Sequence, residues 1–153
     1  MGAAYFYHLT ESPLEAVLPG LIERARGAGW RVEVRGPEDV VARLDEVLWT
    51  RPPDGFLPHG RAGGPHDALQ PVILCGPGQA AGNAASCVMA VGGAGVAAEE
   101  VAAADRVCVL FDGHDGAAVA AARVQWKALT GAGCAAQYWA QEGGWKKKAE
   151  AGG

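Results

Sequence analysis

The feature that most constrains the fold is the change of period within the first fifty residues. Residues 4–9, Ala-Tyr-Phe-Tyr-His-Leu, are a short β-prone run. Ser12 then offers a helix cap and Pro13 a helix first position. Leu14, Val17, Leu18, Leu21, Ile22 and Ala25 follow at the i, i+3, i+4, i+7 rhythm of an apolar helical stripe. Pro19 and Gly20 interrupt the stripe, which predicts a kink or a late helix start near Pro19. Gly27 and Gly29 end it, residues 30–34 alternate as a half-buried strand, and Pro37 opens a second helix with Val40, Leu44, Val47 and Leu48 inward. A βαβα opening implies parallel strands, right-handed crossovers and a sheet covered by helices on both faces.

The remainder continues the theme with two irregular stretches. Residues 51–70 show no usable period, and a loop that long inside a domain is usually functional or disordered. Two apolar runs, 72–75 and 87–91, are joined by a Gly-rich link, Gly76 to Ser86. That link is too short for a helical crossover, so it predicts an antiparallel excursion at the sheet edge. Residues 96–104 read as an Ala-rich helix, 107–111 as a fully buried strand, 115–130 as a helix ended by Gly131 and Gly133, and 135–140 as a last short strand. The expectation is one α/β domain over residues 1–142 and a loose, solvated tail over 143–153 that carries Lys146, Lys147 and Lys148.

At 153 residues one domain with a sizeable core is the natural size. No apolar run approaches the ~18 to 20 residues needed to cross a bilayer and no leader pattern opens the chain, so a cytoplasmic location without membrane contact is expected. Cys75, Cys87, Cys108 and Cys134 lie 12, 21 and 26 residues apart, which fits buried reduced thiols better than a metal site. The formal net charge of −4 argues against a general nucleic-acid binder. Charge is uneven, however. Residues 1–114 carry 8 Lys/Arg against 14 Asp/Glu, a net of −6, and residues 115–153 carry 5 against 3, a net of +2. The basic end is where an acidic partner would bind.

Catalytic motifs are poorly represented. The Gly76–Gly82 segment follows a strand, but its third glycine comes one residue late for G-x-G-x-x-G, Pro77 removes an N–H, and the next element reads as a strand. There is no P-loop, and neither Ser12 nor Ser86 sits in a nucleophile elbow. Asp112, His114 and Asp115, at the carboxyl end of a buried strand, are the best candidates for an enzyme or metal site. Their competing role is to cap the following helix, a need that exists at every helix start. His8, His59 and His66 are isolated and read as structural or surface residues.

Two surfaces are more informative. At 100° per residue, Arg123, Lys127 and Thr130 share one face of the last helix with Val119 and Trp126 beside them, opposite Ala118, Ala121, Ala122, Ala128 and Leu129. Arginine forks onto carboxylates and an indole packs an apolar anchor, so this stripe suits an acidic peptide with a bulky apolar end. It reads equally as a solvated face with Trp126 tucked into a neighbouring element. Leu48, Trp49, Pro52, Pro53, Phe56 and Pro58 form a second cluster, read either as a rigid partner-binding patch or as closure of the core under the loop.

Three segments together resemble the chi subunit of bacterial DNA polymerase III. They are Tyr5-Phe6-Tyr7-His8-Leu9; Leu44 to Pro52 with Phe56-Leu57-Pro58-His59; and Arg123-Val124-Gln125-Trp126-Lys127. The resemblance implies a non-catalytic adaptor with a Rossmann-like three-layer fold and no nucleotide, cofactor or metal. It implies two partners, the psi subunit of the clamp loader and the acidic C-terminal tail of the single-stranded DNA-binding protein, so that DNA is reached only indirectly. Carried over residue by residue, Arg123, Trp126 and Lys127 are the tail-binding positions, with Val119 where the family can carry a Lys. Trp49, Arg51, Pro52, Phe56, Pro58 and His59 are assigned to psi docking.

Overall fold

The computed structural model describes residues 2–50 and 58–152. The expected alternation is there. Strand β1 (Ala3–Leu9) leads into helix α1 (Leu14–Gly27), β2 (Val32–Arg35) and α2 (Glu38–Thr50). Then come β3 (Gly60–Arg61), a single 3-10 turn, β4 (Val72–Cys75), β5 (Cys87–Ala90), α3 (Ala98–Ala103), β6 (Arg106–Asp112), α4 (Gly116–Gly131), β7 (Ala135–Gln141) and β8 (Trp145–Ala151). Among the described residues these strands form one sheet in the order β3-β4-β2-β5-β6-β1-β7-β8. Every pairing is parallel except the last, β7 with β8.

Two hydrophobic layers sandwich the sheet. On one face Leu18, Leu21 and Ile22 of α1 and Val41, Leu44 and Leu48 of α2 pack on Val32, Val34, Met89 and Leu110. On the other, Val101 of α3 and Ala122 and Leu129 of α4 pack on Phe6, Val88, Val107 and Val109. Successive strand residues point to opposite faces, so Tyr5 and Tyr7 of β1 face the α1 side while Phe6 faces α4. That alternation gives β1 a different pocket on each face.

The structure corrects four expectations. The helix after β1 starts at Leu14 and not late near Pro19, which lies inside it; burial of Leu18, Leu21, Ile22 and Ala25 outweighs the backbone bond that proline forfeits. Ser12 does not cap it, because the N-cap residue is Pro13 and makes no side-chain bond. Residues 72–91 are not an antiparallel excursion. β4 and β5 both run parallel to β2, one on each side, and the antiparallel edge lies at the C-terminus instead. Strands of four residues are only ~13 Å long, so eleven linking residues return the chain without a helix. Asn83, 1% exposed, holds the link beneath β2, its Nδ2 donating to the carbonyl oxygens of Val32 (3.2 Å) and Gln70 (2.9 Å). Finally, most of the expected loose tail is β8, paired along β7 from Gln141↔Trp145 to Ala136↔Ala151. Among the described residues no helix is long and apolar enough to cross a membrane.

Candidate functional site

Helix α4 begins where Asp115 Oδ1 accepts the N–H groups of Ala117 (3.0 Å) and Ala118 (3.4 Å). Fixed at that end, α4 lays Ala122 and Leu129 into the core, and this rotation brings Arg123, Trp126 and Lys127 to one side. Those three line a pocket of about 530 Å³ with His8 and Thr10 from the end of β1, Tyr138 and Gln141 of β7, Glu142, and Lys148 of β8. Val119 is not brought in. It packs partly buried against the α4-side core.

The floor is aromatic. Trp126 meets Phe6 edge-on, with ring centroids 5.4 Å apart, and Tyr138 at 5.9 Å, while Tyr138 stacks near-parallel on Phe6. The indole is therefore both tucked against the sheet and part of the pocket wall, so the two readings of its position describe one arrangement. His8 Nδ1 lies 2.9 Å from the Tyr138 hydroxyl. Burial raises the Tyr138 phenol, and the nearby Arg123 charge opposes that rise. The rim is cationic, with Arg123, Lys127 and Lys148 set against one carboxylate, Glu142. Glu142 receives Lys148 Nζ at 2.9 Å, and that bond holds its carboxyl below the usual range. Sequence periodicity found the three α4 residues. It missed His8, Tyr138 and Lys148, because only the pairing of β1, β7 and β8 brings them alongside.

The wall between Thr10 and Gln141 is held by the Gln141 amide, whose Oε1 accepts from the N–H groups of Thr10 (2.9 Å), Glu11 (2.9 Å) and Ser12 (3.2 Å). The Thr10 hydroxyl donates to the Gln141 carbonyl at 2.8 Å.

The second cluster lies at the far end of α2. Trp49 is 57% exposed, and its ring centroid is 4.4 Å from that of His59. His59 is buried with Nε2 3.1 Å from Asp45 Oδ1, and Pro58 is half-buried. Arg51, Pro52, Pro53 and Phe56 lie outside the described residues.

A larger cavity, about 650 Å³, opens at the carboxyl ends of β1, β5 and β6 and includes Asp112, His114 and Asp115. Each of these groups is already engaged with the backbone. Asp112 Oδ1 accepts the His114 N–H at 2.9 Å, His114 Nε2 lies 2.8 Å from the Thr10 carbonyl, and Asp115 caps α4. Among the described residues no three His, Cys, Asp or Glu side chains converge to hold a metal ion. The Gly76–Gly82 segment runs toward β5, with Gln79 Oε1 accepting the Gly76 N–H, so no helix N-terminus stands where a pyrophosphate needs one.

Fold and site together define a three-layer α/β protein whose parallel sheet lacks the nucleotide loop and whose last helix and last strands build a basic, aromatic pocket. The chain belongs to the DNA polymerase III chi subunit family (HolC), whose model matches residues 1–137. Members are non-catalytic accessory subunits of that replicative polymerase. The match ends within β7, so β8 lies beyond it. No curated protein matches the chain.

Proposed function

We propose that this chain is a docking adaptor of the DNA polymerase III holoenzyme, joining the clamp loader through the psi subunit to the acidic C-terminal tail of the single-stranded DNA-binding protein. The observation that carries the reading is the convergence of Arg123, Trp126 and Lys127 with Lys148 and Tyr138 on one pocket. A tail ending in acidic residues and Pro-Phe presents carboxylates for the guanidinium and ammonium groups and a phenyl ring for the aromatic floor. The role brings the chain to DNA only indirectly, in keeping with its net charge of −4.

Psi docking is assigned to Trp49, Pro58 and His59 at the other end of the molecule and, on the sequence alone, to Arg51, Pro52 and Phe56. The exposed Trp49 indole, backed by the His59 ring, is the kind of rigid aromatic anchor on which interfaces concentrate their energy. Helix α2 sits on one face toward β4, and the basic pocket lies on the other face around β1 and β7. The four strand spacings between β4 and β1 separate them laterally by roughly 20 Å, enough for two partners to bind without collision.

The test is fluorescence anisotropy with a labelled peptide ending in Asp-Asp-Ile-Pro-Phe, run beside the same peptide without its Phe. Saturable binding that requires the Phe, weakens as salt rises and drops at least ~10-fold in Arg123→Ala is expected. Absence of binding by the full peptide at low salt would sink the tail assignment.

A further inference from the structure

A third cavity, of about 410 Å³, lies on the opposite face of β1 and β7 from the basic pocket. Its walls are the rings of Tyr5, Tyr7, Trp30, Trp139 and Trp145, and its charged groups are Arg24 and Arg106, with no carboxylate in the lining. The Arg106 guanidinium lies over two of these rings, its Cζ 4.0 Å from the Tyr5 ring centroid and 5.2 Å from that of Trp30. Rings that occupy the faces of a guanidinium leave its donors at the edge. One of them, Nε, is shut away from water without a hydrogen-bond partner. Among the described residues neither Arg106 nor Arg24 has a carboxylate within ion-pair distance. Both cations act on the Tyr7 phenol, opposing the rise that burial imposes on it, so the two charges converge on one place.

Leaving a buried guanidinium donor unmade is costly, and nothing in the adaptor reading uses it. Two cations beside five aromatic rings match a ligand with a nearly doubly charged oxyanion at one end and a flat π-face at the other. We propose that this cavity binds a nucleotide, with its phosphate on Arg106 and Arg24 and its base against the tryptophan and tyrosine rings. The ligand is one nucleotide long. An acidic chain does not neutralise an extended phosphate backbone, whereas a single base-and-phosphate unit needs only these two cations.

Intrinsic tryptophan fluorescence tests this directly, because Trp30, Trp139 and Trp145 line the cavity. Thymidine monophosphate is titrated beside thymidine and beside a short oligothymidylate, which separates a free nucleotide from one within a strand. Saturable quenching by the monophosphate or the oligonucleotide is expected, at least ~10-fold weaker for thymidine and lost in Arg106→Met. Arg24→Gln, on the exposed surface of α1, is expected to weaken it about threefold and serves as the second variant should Arg106→Met fail to fold. Arg123→Ala leaves the quenching unchanged while abolishing tail-peptide binding, so the two sites fail separately. Quenching indifferent to the phosphate or to both arginines overturns the assignment, as does Arg106-dependent quenching by the acidic peptide with none by either nucleotide form.

Discussion

Arg35→Met is expected to lower stability by about 3 kcal/mol, the lower end of what removing one partner of a buried ion pair costs. Arg35 stands on β2 with Nε 2.8 Å from Glu33 Oε2, and its terminal nitrogens fork onto both oxygens of Glu100 in α3. Glu33 is 8% exposed, so without Arg35 it is a buried carboxylate with no cation. Glu100 is more open, which keeps the figure low, and its Oε1 also accepts the Ala97 N–H at the start of α3. One guanidinium thus ties β2 to a six-residue helix too short to hold itself. Thermal unfolding should show a fall of about 10 °C. Adding Glu33→Gln should recover part of the loss, because a buried amide is cheaper than a buried charge. A variant melting within 2 °C of wild type would show that the cluster is incidental.

The same cluster sets a pH dependence. Its hydrogen bonds to Arg35 pull the Glu100 carboxyl below its ordinary value of 4.5. A depressed folded-state value contributes stability that is fully present above 4.5 and is lost as pH falls through the lowered value. Arg35→Met should therefore flatten the acid side of the stability profile and leave its neutral side parallel to wild type. An unchanged acid slope would mean that other carboxylates carry it.

Elements whose chemistry is local were legible in the sequence. The stripe of α1 and the buried run of β6 declare their period, α2 does so at Leu44 and Leu48 while burying Val41 where the pattern points to Val40 and Val47, and Asp115 caps α4 because every helix start needs an acceptor. What escaped depends on register or on length. β4 and β5 read as a hairpin because crossovers are normally long, and the rule yields when strands are only four residues. β8 read as a loose tail because Lys146, Lys147 and Lys148 break any apolar alternation. At a sheet edge that composition is how a strand discourages further pairing. Half of the basic pocket was hidden for the same reason, since Lys148 reaches Arg123 and Lys127 only once β8 is laid beside β7. Arg106 gave no signal, because a guanidinium between Tyr5 and Trp30 joins residues from β1, β6 and the turn before β2.

Gln141 escaped most completely, and its replacement is the second large effect. Its side chain is the acceptor for three consecutive backbone N–H groups at Thr10, Glu11 and Ser12, and so fixes the loop between β1 and α1 ahead of the helix. Gln141→Leu keeps the volume and removes the acceptor. Each orphaned donor costs ~1–3 kcal/mol when fully buried, and this loop is part-exposed, so a total loss of about 3 kcal/mol is expected. Thermal unfolding should record it as a fall of about 10 °C. Gln141→Glu keeps an acceptor in place and should retain most of the stability at neutral pH. Because Thr10 and Gln141 also form one wall of the basic pocket, the leucine variant should weaken tail-peptide binding more than its modest chemistry suggests, through a displaced wall and not a lost contact. The glutamate variant separates the two effects. It should melt near wild type yet bind the acidic peptide less well, since it adds a second carboxylate beside Glu142. If leucine and glutamate lower the melting temperature equally, the three N–H bonds are not what holds the β1–α1 loop.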